Sequence, residues 1–165
     1  MFTIKNGQLM MYDVSKEYKN YLRKYDSKVS LKDDRKFYGI LITNNGIDYC
    51  IPFTSRVDKK TNSRLTINIK HQGKIIAKLL INNMIPVNYK DCSIVNVNTS
   101  KYKDYYMKEL QYLRNPNVIS KLLEKVENVY NIICNKEDKN YTFFSSICCN
   151  FPLLEEKCKE WNKVS

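Results

Sequence analysis

The chain reads as an α+β protein, a compact antiparallel strand-rich core with helices from its N-terminal and C-terminal parts packed on it. Three observations lead there. Between residues 37 and 87 apolar residues gather in short runs or alternate with polar ones, as strands do. After residue 102 they recur every three or four positions, as one face of a helix does. The turn dipeptides Asn6-Gly7, Asn45-Gly46 and Gln72-Gly73 all fall in the first half. Strands in front and helices behind imply α+β. At 165 residues, with 43% hydrophobic and 27% charged, the chain is expected to be one globular domain over 1–165 with a buried core.

In order, a strand is expected over 2–5 and another over 9–14, joined by a tight turn at Asn6-Gly7. Ser15 can cap a helix in which Tyr18, Tyr21, Leu22 and Tyr25 share a face, ending near Asp26. Residues 28–36 are polar and read as a loop. The strands 37–43 and 47–53 flank Asn44-Asn45-Gly46, the strongest hairpin signal in the chain, and both look mostly buried. A polar connection over 54–63 leads to an alternating strand at 65–70, turned by Gln72-Gly73 into 75–81, with a short strand at 84–87. Three helical stripes follow: Tyr102, Tyr106, Leu110 and Leu113; Ile119, Leu122, Val126, Val129 and Ile133; Leu154, Cys158 and Trp161. Their spacing suits core packing.

The net charge of +11 invites an acidic partner, although 23 lysines against 5 arginines and a single alanine, Ala77, are what an AT-rich genome would produce. Distribution separates the two explanations. Residues 56–90 hold eight basic side chains and one acid, Asp58, and so carry seven of the eleven net charges. Codon bias enriches lysine everywhere but does not strip acids from one segment. Arg56, Lys60, Arg64, Lys70, Lys74 and Lys78 are therefore expected to form a polyanion-binding stripe, whereas the lysines of the charge-balanced C-terminal helices, such as Lys121 and Lys125, are expected to contribute little.

Several chemistries are disfavoured. His71 is the only histidine, so a two-histidine acid/base pair cannot form and no C-x-x-C pair supports a zinc site. The six cysteines follow no framework and are expected to be reduced. Neither a G-x-x-x-x-G-K-[ST] loop nor a G-x-G-x-x-G turn occurs, and carboxylates are too scarce near the stripe for a two-metal nuclease, so no cofactor and no metal are expected. No apolar stretch approaches the ~18 residues that span a bilayer, and a basic-then-apolar leader is missing, so a cytoplasmic protein without a membrane partner is expected.

Chemistry is most naturally sought where the central hairpin opens. Pro52-Phe53-Thr54-Ser55-Arg56 leaves one strand and Arg35-Lys36 enters the other, which should gather Arg35, Lys36, Thr54, Ser55, Arg56 and Lys59 in one neighbourhood. Hydroxyls and cations suit RNA self-cleavage, in which the ribose 2′-OH attacks the adjacent phosphorus and the protein supplies alignment and charge stabilisation. A Thr-Ser pair at a strand end also serves simple turn chemistry. A non-enzymatic RNA- or DNA-binding module, stacking bases on exposed tyrosines, is the alternative reading.

The order Tyr21-Leu22, Tyr25-Asp26, Val29, Phe37-Tyr38-Gly39-Ile40, Pro52-Phe53-Thr54-Ser55, Met84-Ile85-Pro86, Leu110-Gln111-Tyr112-Leu113-Arg114 and Cys149-Asn150-Phe151-Pro152-Leu153-Leu154-Glu155-Glu156-Lys157 resembles the ToxN/AbiQ family, the ribonuclease toxins of type III toxin–antitoxin systems, including its CptN branch. The resemblance implies a core like the Kid/MazF toxin fold and a sequence-selective, metal-independent endoribonuclease that leaves 2′,3′-cyclic phosphates. It further implies inhibition by a small structured, pseudoknot-like antitoxin RNA that the toxin cuts from a repeat precursor and joins in a cyclic assembly. Growth arrest and abortive phage defence would follow from release of the enzyme onto cellular RNA. Matched to the family's motif, Ser55 becomes the essential hydroxyl and Thr54 its positioning partner. Charge stabilisation falls to Arg35 or Lys36 together with Lys59, for which Arg56 is the alternative. A neutral serine is a poor general base, and the resemblance leaves the base unassigned.

Overall fold

The computed structural model describes residues 1–30 and 38–164. Its centre is the hairpin of β3 (Tyr38–Asn44) and β4 (Ile47–Thr54), paired antiparallel from Gly39↔Pro52 to Asn44↔Ile47. Asn45 and Gly46 close it with φ of 50° and 77°, the doubly positive turn that matches strand twist. Ile40, Leu41, Ile42, Cys50 and Ile51 are all but fully buried, so both faces of this hairpin are covered. Gly39 is required by packing: a Cβ there would stand 2.5 Å from both Cys50 Sγ and the Ile51 carbonyl oxygen.

Both hairpin strands are too long for one neighbour, and each is edged by two. β1 (Thr3–Ile4) and β2 (Tyr12–Val14) lie one after the other along β3, at Thr3↔Thr43 and Tyr12↔Gly39. The expected Asn6-Gly7 hairpin between them therefore does not form. Asn6 and Gly7, at φ of 55° and 66°, turn a 3-10 corner that lets the chain skip along one sheet edge. On the other side β4 pairs first with β7 (Ile85–Val87), then at Phe53↔Leu79 and Thr54↔Lys78 with β6 (Lys74–Leu80). β5 (Thr66–His71) completes that end through the Gln72-Gly73 turn. A strand not expected from the sequence, β8 (Cys92–Ile94), pairs with β2; its three residues, two of them exposed, leave no apolar run to read.

α1 (Lys16–Arg23) starts as expected, the Ser15 hydroxyl accepting from the Tyr18 N–H at 3.3 Å. α2 (Lys103–Leu113) and α3 (Pro116–Ile133) carry the first two apolar stripes; Asn115 caps α3, with Pro116 at its first turn. α4 (Tyr141–Ile147), also unanticipated, buries only Phe144, and α5 (Phe151–Val164) closes the chain.

The C-terminal motif ties this last helix to the sheet. The Asp26 carboxylate accepts from the Asn150 N–H at 2.7 Å and from the Lys28 N–H at 3.0 Å. Glu155 accepts from the hydroxyls of Tyr49 (2.6 Å) and Tyr130 (2.7 Å), and burial, reinforced by that carboxylate, pushes both phenol pKa values up. Tyr21 donates to the Lys157 carbonyl at 2.9 Å, while the Lys157 ammonium lies 4.5 Å from the Tyr25 ring centre. These motif residues are chiefly structural.

Candidate active site

The site begins where β4 changes partners. Pairing with β3 stops at Gly39↔Pro52, and Phe53 and Thr54 continue against β6. Thr54 is buried, and its Oγ1 accepts the Arg56 N–H at 3.2 Å; the Val57 N–H then reaches back to the Ser55 carbonyl at 2.9 Å. Two consecutive local bonds make a tight corner, with Ser55 half-buried at its apex and Arg56 exposed.

Directly across the ladder from Thr54 stands Lys78, and it is only 6% exposed. Its ammonium donates to the Lys59 carbonyl at 3.0 Å and to Thr61 Oγ1 at 3.2 Å. The charge pattern places Lys78 on an RNA-contacting stripe; it is instead an internal clasp that draws the 55–61 loop over β6, because the ladder pairs it with an inward residue. Thr61 continues the clasp, its hydroxyl 3.4 Å from that of Thr66, which in turn donates to the Asn62 carbonyl at 3.2 Å. A lone lysine in the apolar run Ile75-Ile76-Ala77-Lys78-Leu79-Leu80-Ile81 is the signal that could have shown it.

The remaining expected residues separate into three groups. Thr54, Ser55, Arg56 and Lys59 share the corner and its loop, as the hairpin argument requires. Lys60, Arg64, Lys70 and Lys74 are exposed on the loop, β5 and β6, as a stripe should be. Arg35 and Lys36 lie outside the described residues. His71 sits at the far end of the β5–β6 hairpin, four residues along β6 from the Thr54 register, or about 13 Å away at ~3.3 Å per residue.

The expectation for Lys125 also changes. Its ammonium leaves α3 to donate to the Ser63 carbonyl at 2.5 Å and the Thr66 carbonyl at 3.0 Å, holding the segment that presents Arg64. Burial, and secondarily Lys121, lowers its pKa. Beside the hairpin's open end α2 supplies an aromatic wall: Tyr106 meets Tyr38 edge-on with centroids 5.0 Å apart, Tyr102 lies 5.8 Å from Tyr106, and Tyr105 donates to the Ile76 carbonyl.

Chemically, the corner offers hydroxyls and cations from a short stretch of backbone, with Asp58 the one carboxylate of the 55–61 loop. Among the described residues no group of three or more His, Cys, Asp or Glu side chains could hold a metal ion, and no helix is long and apolar enough to cross a membrane. All six cysteines are free; burial pushes the Cys92 and Cys148 thiols up to about 12.

Comparison with known proteins places the chain in a family. A family model for the toxin ToxN of type III toxin–antitoxin systems matches residues 10–159. The chain is 37% identical over 162 residues to an endoribonuclease ToxN of Bacillus thuringiensis subsp. kurstaki, covering 92% of this chain and 84% of that one. It is 31% identical over 172 residues to the endoribonuclease AbiQ of Lactococcus lactis subsp. lactis, covering 95% and 91%. Among solved structures it is similar, with a TM-score of 0.85 and 35% identity over 94% of this chain and 98% of the other, to a chain from a type III system whose toxin is selectively inhibited by a non-coding RNA pseudoknot. A match to nearly the whole chain, with α+β architecture in common, leaves one conclusion: the chain belongs to the ToxN toxin family of type III toxin–antitoxin systems.

Proposed function

We propose that the chain is a sequence-selective endoribonuclease toxin that cleaves RNA at the β4 corner without a metal ion. The observation that carries the reading is the corner itself: Ser55 at the apex, Thr54 turned inward to hold the Arg56 N–H at 3.2 Å, and the Lys59 loop fastened by Lys78. Relatives similar along 84% and 91% of their length are endoribonucleases, which supports the same activity here.

In this mechanism the 2′-oxygen of the substrate ribose forms a bond to the adjacent phosphorus as the bond to the 5′-oxygen breaks. The 2′-hydroxyl gives up its proton as it attacks and the departing 5′-oxygen takes one up, so no proton is gained or lost overall. The fragments then carry a 2′,3′-cyclic phosphate and a 5′-hydroxyl. Ser55 hydrogen-bonds the reacting phosphate and fixes its orientation; Thr54 holds the backbone on which Ser55 sits; Lys59, with Arg35 or Lys36, stabilises charge on the phosphoryl oxygens. Lys78 is a positioning residue, acting through the loop it anchors. Arg56, Lys60, Arg64, Lys70 and Lys74 draw the RNA backbone to this face.

A small structured RNA, encoded as repeats and cut to single units by the enzyme, is the proposed antitoxin. Its binding over the corner would keep the toxin silent in the cytoplasm until release leads to growth arrest or abortive phage infection. Incubation of purified protein with total RNA tests the reading. Defined fragments that vanish with Ser55→Ala are expected; intact RNA, bound but uncut, would favour a binding module.

A further inference from the structure

We propose that Arg64 and Phe143 form a base-stacking platform for single-stranded RNA, next to the catalytic corner; the inference rests on the ribonuclease reading and adds a subsite to it. α4 presents two consecutive phenylalanines with opposite fates. Phe144 is buried, whereas Phe143 is 55% exposed, its ring centre 5.8 Å from that of Phe144. The Arg64 guanidinium lies over the Phe144 ring at 4.6 Å from its centre. A planar cation resting on one ring, with a second ring exposed beside it, offers two flat surfaces to a splayed base.

The support beneath this surface is built. The Arg64 N–H donates to Asn62 Oδ1 at 2.9 Å, and Lys125 grips the carbonyls on either side of Arg64 and Leu65, those of Ser63 and Thr66. An exposed arginine would ordinarily sample many rotamers; stacking on Phe144 and a braced backbone limit that freedom before RNA arrives. Residues 56–90 carry one acid against eight basic side chains, so the field around the platform suits a polyanion.

The platform is also continuous with the corner. Thr61, which receives the Lys78 hydrogen bond opposite Thr54, is three residues from Arg64, a span of at most about 10 Å of extended chain. A strand held at Ser55 thus has nucleotides within reach of Arg64 and Phe143. Stacking ignores base identity in large part, so this subsite adds affinity and register while leaving sequence selection to the corner.

The test is fluorescence anisotropy with a labelled 2′-O-methyl RNA dodecamer of mixed sequence, which cannot be cut because its 2′-oxygens are blocked. Phe143→Ala should weaken binding about 5- to 150-fold, the range that follows from 1–3 kcal/mol per stacked base, with the log–log salt slope unchanged. Phe143→Trp should restore it. Arg64→Lys, which keeps the charge and loses the plane, should weaken binding at the same slope. Phe143 is exposed, so its variants should melt with the unmodified protein. An affinity for Phe143→Ala within twofold of the unmodified protein, or for Phe143→Trp as weak as for Phe143→Ala, would overturn this inference alone; failure of the unmodified protein to bind any RNA would overturn the ribonuclease reading as well.

Discussion

The Lys78 ammonium on β6 donates to the Lys59 carbonyl at 3.0 Å, so a buried cation opposite Thr54 fixes the loop that carries the expected charge-stabilising lysine. One side chain thereby couples the sheet register to the shape of the site. Lys78→Met keeps most of the apolar stem and removes both hydrogen bonds. It should lower stability by about 1.5–3 kcal/mol, the usual worth of a charged hydrogen bond, and cut the cleavage rate further than that loss of folded protein explains. Denaturant unfolding and single-turnover cleavage, measured side by side, check both.

Because Lys78 is buried, it should contribute little to the salt dependence of RNA binding. Replacing Arg64, Lys70 and Lys74 together should flatten the log–log slope by about 0.7 for every phosphate of a single strand that is no longer neutralised. Lys121 is the proper control from the helical half. Lys125 is not, since it holds the Ser63 and Thr66 carbonyls beside Arg64. Titrations at four or five salt concentrations distinguish these sets.

Thr54 and Ser55 should respond differently to loss of the hydroxyl. Ser55→Ala is expected to abolish growth arrest at unchanged protein level. Thr54→Val retains shape but frees the Arg56 N–H, so it should cost about 1 kcal/mol of stability and only part of the activity. Expression toxicity together with thermal melts reads out the contrast.

Gly39→Ala should destabilise the protein although its backbone angles are ordinary, because the added methyl would meet Cys50 Sγ and the Ile51 carbonyl at 2.5 Å. Forcing those strands apart costs roughly 1–3 kcal/mol. Cys50→Ala in the same chain relieves one of the two clashes and should recover part of the stability in a thermal melt.

Native thiol titration should find Cys134 reacting first and the other five more slowly. Burial raises the pKa values of all six thiols, Cys134 included, so access separates them: Cys134 is exposed, Cys92 is half-buried, and Cys50, Cys148, Cys149 and Cys158 are covered. Raised pKa values keep all six largely as thiols at pH 8, and exposure sets the order in which they react. Unfolding with guanidinium should release all six together.

The legible parts of the sequence are those in which local chemistry and burial agree. Asn45-Gly46 supplies a turn between two apolar runs, and Ser15 precedes a helical stripe; both elements form where they are expected. Asn6-Gly7 misleads because the same positive φ that closes a hairpin also serves a corner along a sheet edge. β8 and α4 are hidden because a three-residue edge strand and a helix with one buried ring leave almost no periodic signal. At the candidate site, the sequence brings Thr54, Ser55, Arg56 and Lys59 to one corner and loop, yet it counts Lys78 by charge alone. Only the Thr54↔Lys78 register shows that this lysine faces inward.

The most direct test of the central claim is end-group analysis of RNA cut by the purified protein in excess EDTA, with RNA folding controlled separately. Undiminished cleavage is expected, with 2′,3′-cyclic phosphate on one fragment and 5′-hydroxyl on the other, and no cleavage by Ser55→Ala. Activity that requires magnesium or manganese, or fragments that carry 5′-phosphates, would mean that water attacks the phosphorus at a different site.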